Sequence, residues 1–128
     1  MSSELSILAL YGIVLIVIII VQVTLAVPQL GLSYLATPRD EGRETHGMAA
    51  RAERCLTNSV VAMALFAPAV LILSAKDAFT ASTLLAAQVF LIARIIYAPV
   101  YWFGIPWLRT GIWSVGILAT LYLYWVAL

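Results

Sequence analysis

The sequence predicts an all-α integral membrane protein, a single bundle of four transmembrane helices. Two observations carry most of this. Four apolar stretches each come near the roughly 20 residues that cross a hydrocarbon core of about 30 Å. The 128 residues are 64% hydrophobic and only 10% charged, where soluble domains are roughly a quarter charged. A soluble domain of this size leaves too much surface exposed to hide that apolar excess, and a bilayer removes the difficulty. A third observation is that the polar residues fall mainly into the first and third connections, which a four-helix up-and-down path brings to one end.

The first stretch, about Leu5–Val27, holds the run VLIVIIIV and has no polar face, which suits contact with lipid. Pro28 is expected to stop it. It is longer than the apolar core of a signal peptide and lacks a basic start, so it reads as a retained helix. The segment from Gln29 to Arg51, with TPRDEGRETHG at its centre, reads as a surface loop. The second helix covers about Ala52–Ala75, followed by a very short turn at Lys76 and Asp77. The third runs from about Ala78 to Phe103, the fourth from about Trp107 to Leu128, and Gly104 and Pro106 mark the turn between them. Soluble strands are about 4–8 residues long, and membrane strands alternate over about ten, so neither accounts for uninterrupted runs of this length. There is no internal repeat.

The positive charges predict an orientation. Arg39, Arg43, Arg51 and Arg54 cluster at the first connection and Arg109 follows the third, whereas the opposite end has only Lys76. The positive-inside rule puts the first and third connections in the cytoplasm and both termini on the other side, in a bacterial inner membrane or one of endoplasmic-reticulum type. Tyr101, Trp102 and Trp107 suit an aromatic belt at the cytoplasmic interface, and Tyr122, Tyr124 and Trp125 one at the far interface. A formal net charge of +1 without a basic run argues against nucleic acid as a partner.

Within the apolar spans, a few polar residues need a reason. Arg51, Arg54 and Asn58 stand at i, i+3 and i+7 on one face of the second helix, and Arg94, Tyr97 and Tyr101 repeat that spacing on the third. Arg94 lies ten residues before Gly104, roughly 15 Å from the turn at 1.5 Å per residue. A charge at that depth costs at least ~2.5–3.5 kcal/mol on insertion scales, so it should face protein, water or a ligand. Two readings stand side by side. Arg94 can be structural, paired with Glu53 or with helix C-terminal carbonyls, with Asn58 as an interhelical hydrogen-bonding group. Alternatively, the excess of guanidinium over carboxylate (Arg51, Arg54, Arg94 and Arg109 against Glu53) calls for an anion, most simply a bidentate carboxylate.

Other residues give less. The lone Cys55 reads as a small packing residue. His46 has no second His or Cys at ligand spacing, so no metal site is expected. Gln22 reads as an interhelical hydrogen-bonding group. Pro68 and Pro99 are expected to kink the second and third helices. No Ser-His-acid set, phosphate loop or haem-ligand pattern is present.

The strings RAERCLTNSVVAMALFAPAVL and ARIIYAPVYWFGIPWLRTGIW resemble the MAPEG family, membrane-associated proteins in eicosanoid and glutathione metabolism. The resemblance spans nearly the whole chain. Its most specific parts are ER-x-x-x-N on the second helix and R-x-x-Y-x-x-x-Y on the third. It implies a homotrimer of four-helix subunits that binds glutathione between neighbouring subunits. Arg51, Arg54, Asn58, Arg94, Tyr97 and Tyr101 would hold the glutathione, and Arg109 would activate its thiol for attack on a hydrophobic electrophile or peroxide. The chain departs from the family pattern N-x-x-E, because Val61 stands three residues after Asn58 and Ala62 replaces a tyrosine that often follows. The acceptor for the glutathione amino group is therefore missing. The alternative implied is a non-catalytic member, a structural subunit or a binder of lipid or another anionic amphiphile.

Overall fold

The computed structural model describes residues 3–128 and is all helical. Its elements are α1 (Glu4–Leu30), the short α2 (Leu32–Leu35), α3 (Gly47–Ala75), α4 (Ala81–Trp102) and α5 (Pro106–Ala127). All but α2 are long and apolar enough to cross a membrane. The chain is a multi-pass integral membrane protein.

The helix boundaries differ from expectation for local reasons. Pro28 lies inside α1 rather than ending it. In the last turn its missing N–H costs a single carbonyl partner, and the helix stops at Gly31, whose φ of +87° breaks it and whose N–H closes on the Val27 carbonyl at 2.8 Å. α3 begins at Gly47 instead of position 52, so the expected loop loses its last turn to the helix. Its entry is fixed by a reciprocal pair: the Gln29 side-chain amide donates to the His46 carbonyl (3.0 Å), and the His46 N–H donates to Gln29 Oε1 (2.9 Å). α4 starts three residues later than expected because Thr80 caps it. Thr80 Oγ1 accepts the Thr83 N–H at 3.2 Å and Thr83 Oγ1 accepts the Thr80 N–H at 2.7 Å, a reciprocal cap that satisfies two orphan donors.

The connection between α1 and α3 is folded around Tyr34. Its hydroxyl donates to the Arg39 carbonyl (3.2 Å) and accepts the Arg43 N–H (2.8 Å). The Arg43 guanidinium lies 4.5 Å over the ring, donates to the Leu30 carbonyl and pairs with Glu41 at 2.9 Å.

α3 and α4 form the centre of the bundle. α1 packs on both from one side and α5 on both from the other; α1 and α5 do not touch among the described residues. The deepest contact is aromatic. The Phe66 and Phe90 rings stack at 4.0 Å with a 5° interplanar angle, and Tyr11 meets Phe90 edge-on at 5.0 Å. Small residues (Ala62, Ala69, Ala87, Ala119) fill the buried faces around these rings. That pattern fits a bundle held by close van der Waals approach, because lipid gives helices no hydrophobic reason to associate. The outward stripe of α1, including Ile13, Ile16, Val17 and Ile20, is exposed as expected for a lipid-facing surface.

Two polar clasps close one end of the bundle. Thr83 Oγ1 donates to the buried Glu4 carboxylate at 2.6 Å, joining the starts of α4 and α1. Lys76 Nζ donates to the Ala127 carbonyl at 2.8 Å, joining the end of α3 to the end of α5. The other end carries the polar loop and the α4–α5 turn, so the two connections that hold most of the positive charge do share one end.

Phe90→Ala removes both ring contacts and should cost about 3 kcal/mol of bundle stability, read by sodium dodecyl sulfate titration in mixed micelles. Ile20→Ala on the lipid face should change it by less than about 1 kcal/mol.

Candidate functional site

Arg94 is 3% exposed although it lies in the middle of a membrane-spanning helix. It sits on the inner face of α4, against Ser59, Tyr97 and the Tyr11 side chain. Nη2 donates to Ser59 Oγ on α3 at 3.0 Å, and the guanidinium plane lies 4.1 Å from the centre of the Tyr97 ring one turn on. Nε is buried and has no partner among the described residues. Space for the side chain comes from α5, where Gly116 faces it: a Cβ there would stand 3.7 Å from Arg94 Cδ. Ser59 is itself held, since its carbonyl accepts the Tyr11 hydroxyl of α1 at 2.8 Å.

Toward the α4–α5 turn the column continues. Tyr97 and Tyr101 meet edge-on at 5.6 Å, and the Arg109 guanidinium of α5 lies 4.6 Å over the Tyr101 ring. The result is a line of cation, ring, ring and cation along α4. Cation–π contacts of this kind partly offset the desolvation of the guanidinium groups. Beside the column, a groove opens between α3 and α5. Its deeper part, about 160 Å³, is lined by Asn58, Val61, Leu65, Phe90, Arg94 and Trp113 among others. Its outer part, about 240 Å³, is lined by Asn58, Tyr97, Tyr101, Arg109, Thr110 and Trp113. Asn58 and Trp113 line both parts and join them.

The residues expected from the sequence divide accordingly. Asn58, Arg94, Tyr97, Tyr101 and Arg109 converge on the groove. Arg51 does not line it. Its Nε donates to the Trp102 carbonyl at 2.8 Å, capping the end of α4, and a Cβ on Gly104 (φ +72°) would meet its side chain at 3.4 Å. Arg54 is exposed and lines a separate cleft with Arg43, Glu44, Glu53 and Thr57. Glu53 is not the partner of Arg94: it accepts the Thr45 hydroxyl at 2.8 Å. Cys55 is fully buried in the packing cluster of Ile18, Tyr97, Ala98 and Tyr101, as its composition suggested.

The sequence reading missed Ser59, Tyr11, Trp113 and Gly116. Ser59 had a usable signal, being a small polar side chain directly after Asn58 in an otherwise apolar span. Gly116 in a helix interior marks close approach of a neighbour. Tyr11 reaches the site from a helix that otherwise has no polar face, and nothing in the spacing points to it.

These features define a multi-pass membrane bundle with an arginine- and tyrosine-lined groove between its helices. The sequence profile of the MAPEG family matches residues 5–128, nearly the whole chain, and the protein belongs to that family. Comparison with curated proteins and with solved structures gives no match.

Ser59→Ala deprives the buried guanidinium of its hydroxyl acceptor and should destabilise the bundle by about 1–3 kcal/mol; the same detergent titration measures it. Gly116→Val places methyl groups against Arg94 and should also destabilise, whereas Gly116→Ala fits at ordinary contact distance.

Proposed function

We propose that the groove binds a thiol of the glutathione class and raises its reactivity toward apolar electrophiles or peroxides dissolved in the membrane, as a glutathione transferase or peroxidase would. The observation that carries this is the buried Arg94, which lines the groove and whose Nε has no hydrogen-bond partner among the described residues, in a member of the MAPEG family. A guanidinium buried at membrane depth with an unused donor is best explained by an anion that completes it.

In this reading Arg94 and Asn58 hold a ligand carboxylate and amide, with Tyr97 and Tyr101 supplying the wall against which the peptide lies. Arg51 contributes by fixing the α4–α5 turn, and Arg54 binds only a part of the ligand that extends beyond the groove or reaches it from a neighbouring copy in a homotrimer. Arg109 acts on the thiol. A guanidinium stays protonated at any working pH, so it stabilises the thiolate without being titrated and lowers the thiol pKa from about 8.5. The thiolate sulfur then donates its electron pair to the electrophilic centre and the leaving group departs with the displaced pair. Confinement beside the lipid supplies proximity. The positive connections face the cytoplasm, the compartment that holds such thiols.

A second reading has one observation in its favour. Val61 is 53% exposed and lines the groove where a carboxylate would be useful to glutathione. A non-catalytic family member, a structural subunit or binder of an anionic amphiphile, would tolerate it.

Calorimetry of glutathione binding to the purified protein in detergent, together with the thiolate absorbance difference spectrum, tests the choice. Saturable binding with a thiolate signal is expected. Arg109→Leu should retain binding within about threefold and lose the thiolate signal, on the scale of one surface charge contact. Arg94→Met should abolish binding without loss of stability, because replacing a buried charge by an apolar side chain of similar size is often neutral or stabilising. No binding at millimolar glutathione, with Arg94→Met destabilised, would sink the transferase reading.

A further inference from the structure

We propose that the groove selects a thiol carboxylate whose amine is acylated, over one that carries a free ammonium group. The inference rests on the thiol-binding reading and specifies its substrate class. The chain has six acidic residues, and none lines the groove. Glu4 is bound to Thr83 at the opposite end, and Asp77 lies in the α3–α4 turn. Asp40 and Glu41 belong to the loop around Tyr34, and Glu44 and Glu53 line the separate cleft with Arg54. Within one subunit, an ammonium placed in the groove would meet two guanidinium groups, Arg94 and Arg109, and no carboxylate. In a water-poor site, an unpaired cation beside like charges is strongly disfavoured.

The acceptors that are present are neutral. The Asn58 side-chain carbonyl and the Thr110 and Thr120 hydroxyl oxygens suit an amide N–H, which needs one hydrogen bond and no counter-charge. Around Asn58 the deeper wall is apolar: Val61, Leu65, Phe90 and Ile117 line it. N-acylation turns the ammonium into an amide N–H and adds an acyl group, and the wall offers a place for each. The carboxylates remain to pair with the guanidinium groups. Val61 is the residue that sets this preference, because it is the exposed side chain one turn beyond Asn58 on the same wall.

The test compares glutathione with N-acetylglutathione by calorimetry on the whole protein in detergent micelles. N-acetylglutathione is expected to bind on the order of tenfold more tightly, the scale of one charge-assisted contact left unmade. Val61→Glu should invert that order, and Val61→Gln, of the same shape without the charge, should preserve it. If Val61→Glu fails to fold, the wild-type comparison and Val61→Gln still decide. Glutathione binding as tightly as its N-acetyl form, or better, to the wild-type protein overturns the proposal while leaving the thiol-binding reading intact. If neither ligand binds at millimolar concentration, both fall.

Discussion

A guanidinium in the interior of a membrane-spanning bundle has lost its water and cannot shed its proton, so the protein around it must supply what water did. Most of the site can be traced to that requirement. Arg94 donates one hydrogen bond to the Ser59 hydroxyl oxygen, and Ser59 is itself steadied by the Tyr11 hydroxyl of α1, which donates to its carbonyl. It takes a ring face from Tyr97, and its stem lies in the space that Gly116 leaves on α5. Each of the four membrane-spanning helices thus contributes to one buried charge. The helices around it approach closely through alanines and Gly116, and Nε keeps no hydrogen-bond partner among the described residues.

The opposite end of the bundle carries no buried guanidinium. Its clasps, Glu4 with Thr83 and Lys76 with the Ala127 carbonyl, use polar groups to join helix ends. Between the two ends the contacts are aromatic stacking and small-residue packing. The site end therefore has no need to hold the bundle together by itself. That leaves α3 and α5 free to stand apart enough for a groove, with Asn58 and Trp113 bordering it.

Much of this was legible before the structure. Hydropathy over long windows specifies membrane helices because only helices satisfy their own backbone in lipid, and the four spans, their order and the shared end of the two charged connections all followed. Boundaries were less legible, since the stop at Gly31 and the reciprocal cap at Thr80 rest on one or two local hydrogen bonds that composition does not report. Helical spacing placed Arg94, Tyr97 and Tyr101 on one face of α4, where the structure has them in a column on its buried side. The same spacing grouped Arg51 and Arg54 with Asn58, but a face about 60° wide spans more than one neighbour. Arg51 turns to the end of α4 and Arg54 to the loop cleft. The identity of Arg94's partner was not legible either, because sequence argues from charge and looks first to Glu53. The structure answers with a neutral hydroxyl and a ring.

The four long helices are unequal: α1 and α3 have 27 and 29 residues, and α4 and α5 have 22 each. At 1.5 Å per residue the longer pair measures ~40 Å or more and the shorter pair ~33 Å. At the end away from the clasps, the Trp102 carbonyl that closes α4 meets Arg51 one turn inside α3, so α3 extends past α4 there. There the α4–α5 turn, with exposed Phe103, Ile105 and Trp107, forms a low terrace beneath the taller rim of α1, α3 and the loop. A hydrocarbon layer of about 30 Å matches the length of the shorter pair more closely than that of the longer. The outer part of the groove, at Arg109 and Tyr101, opens beside that terrace. It is a threshold between two solvents.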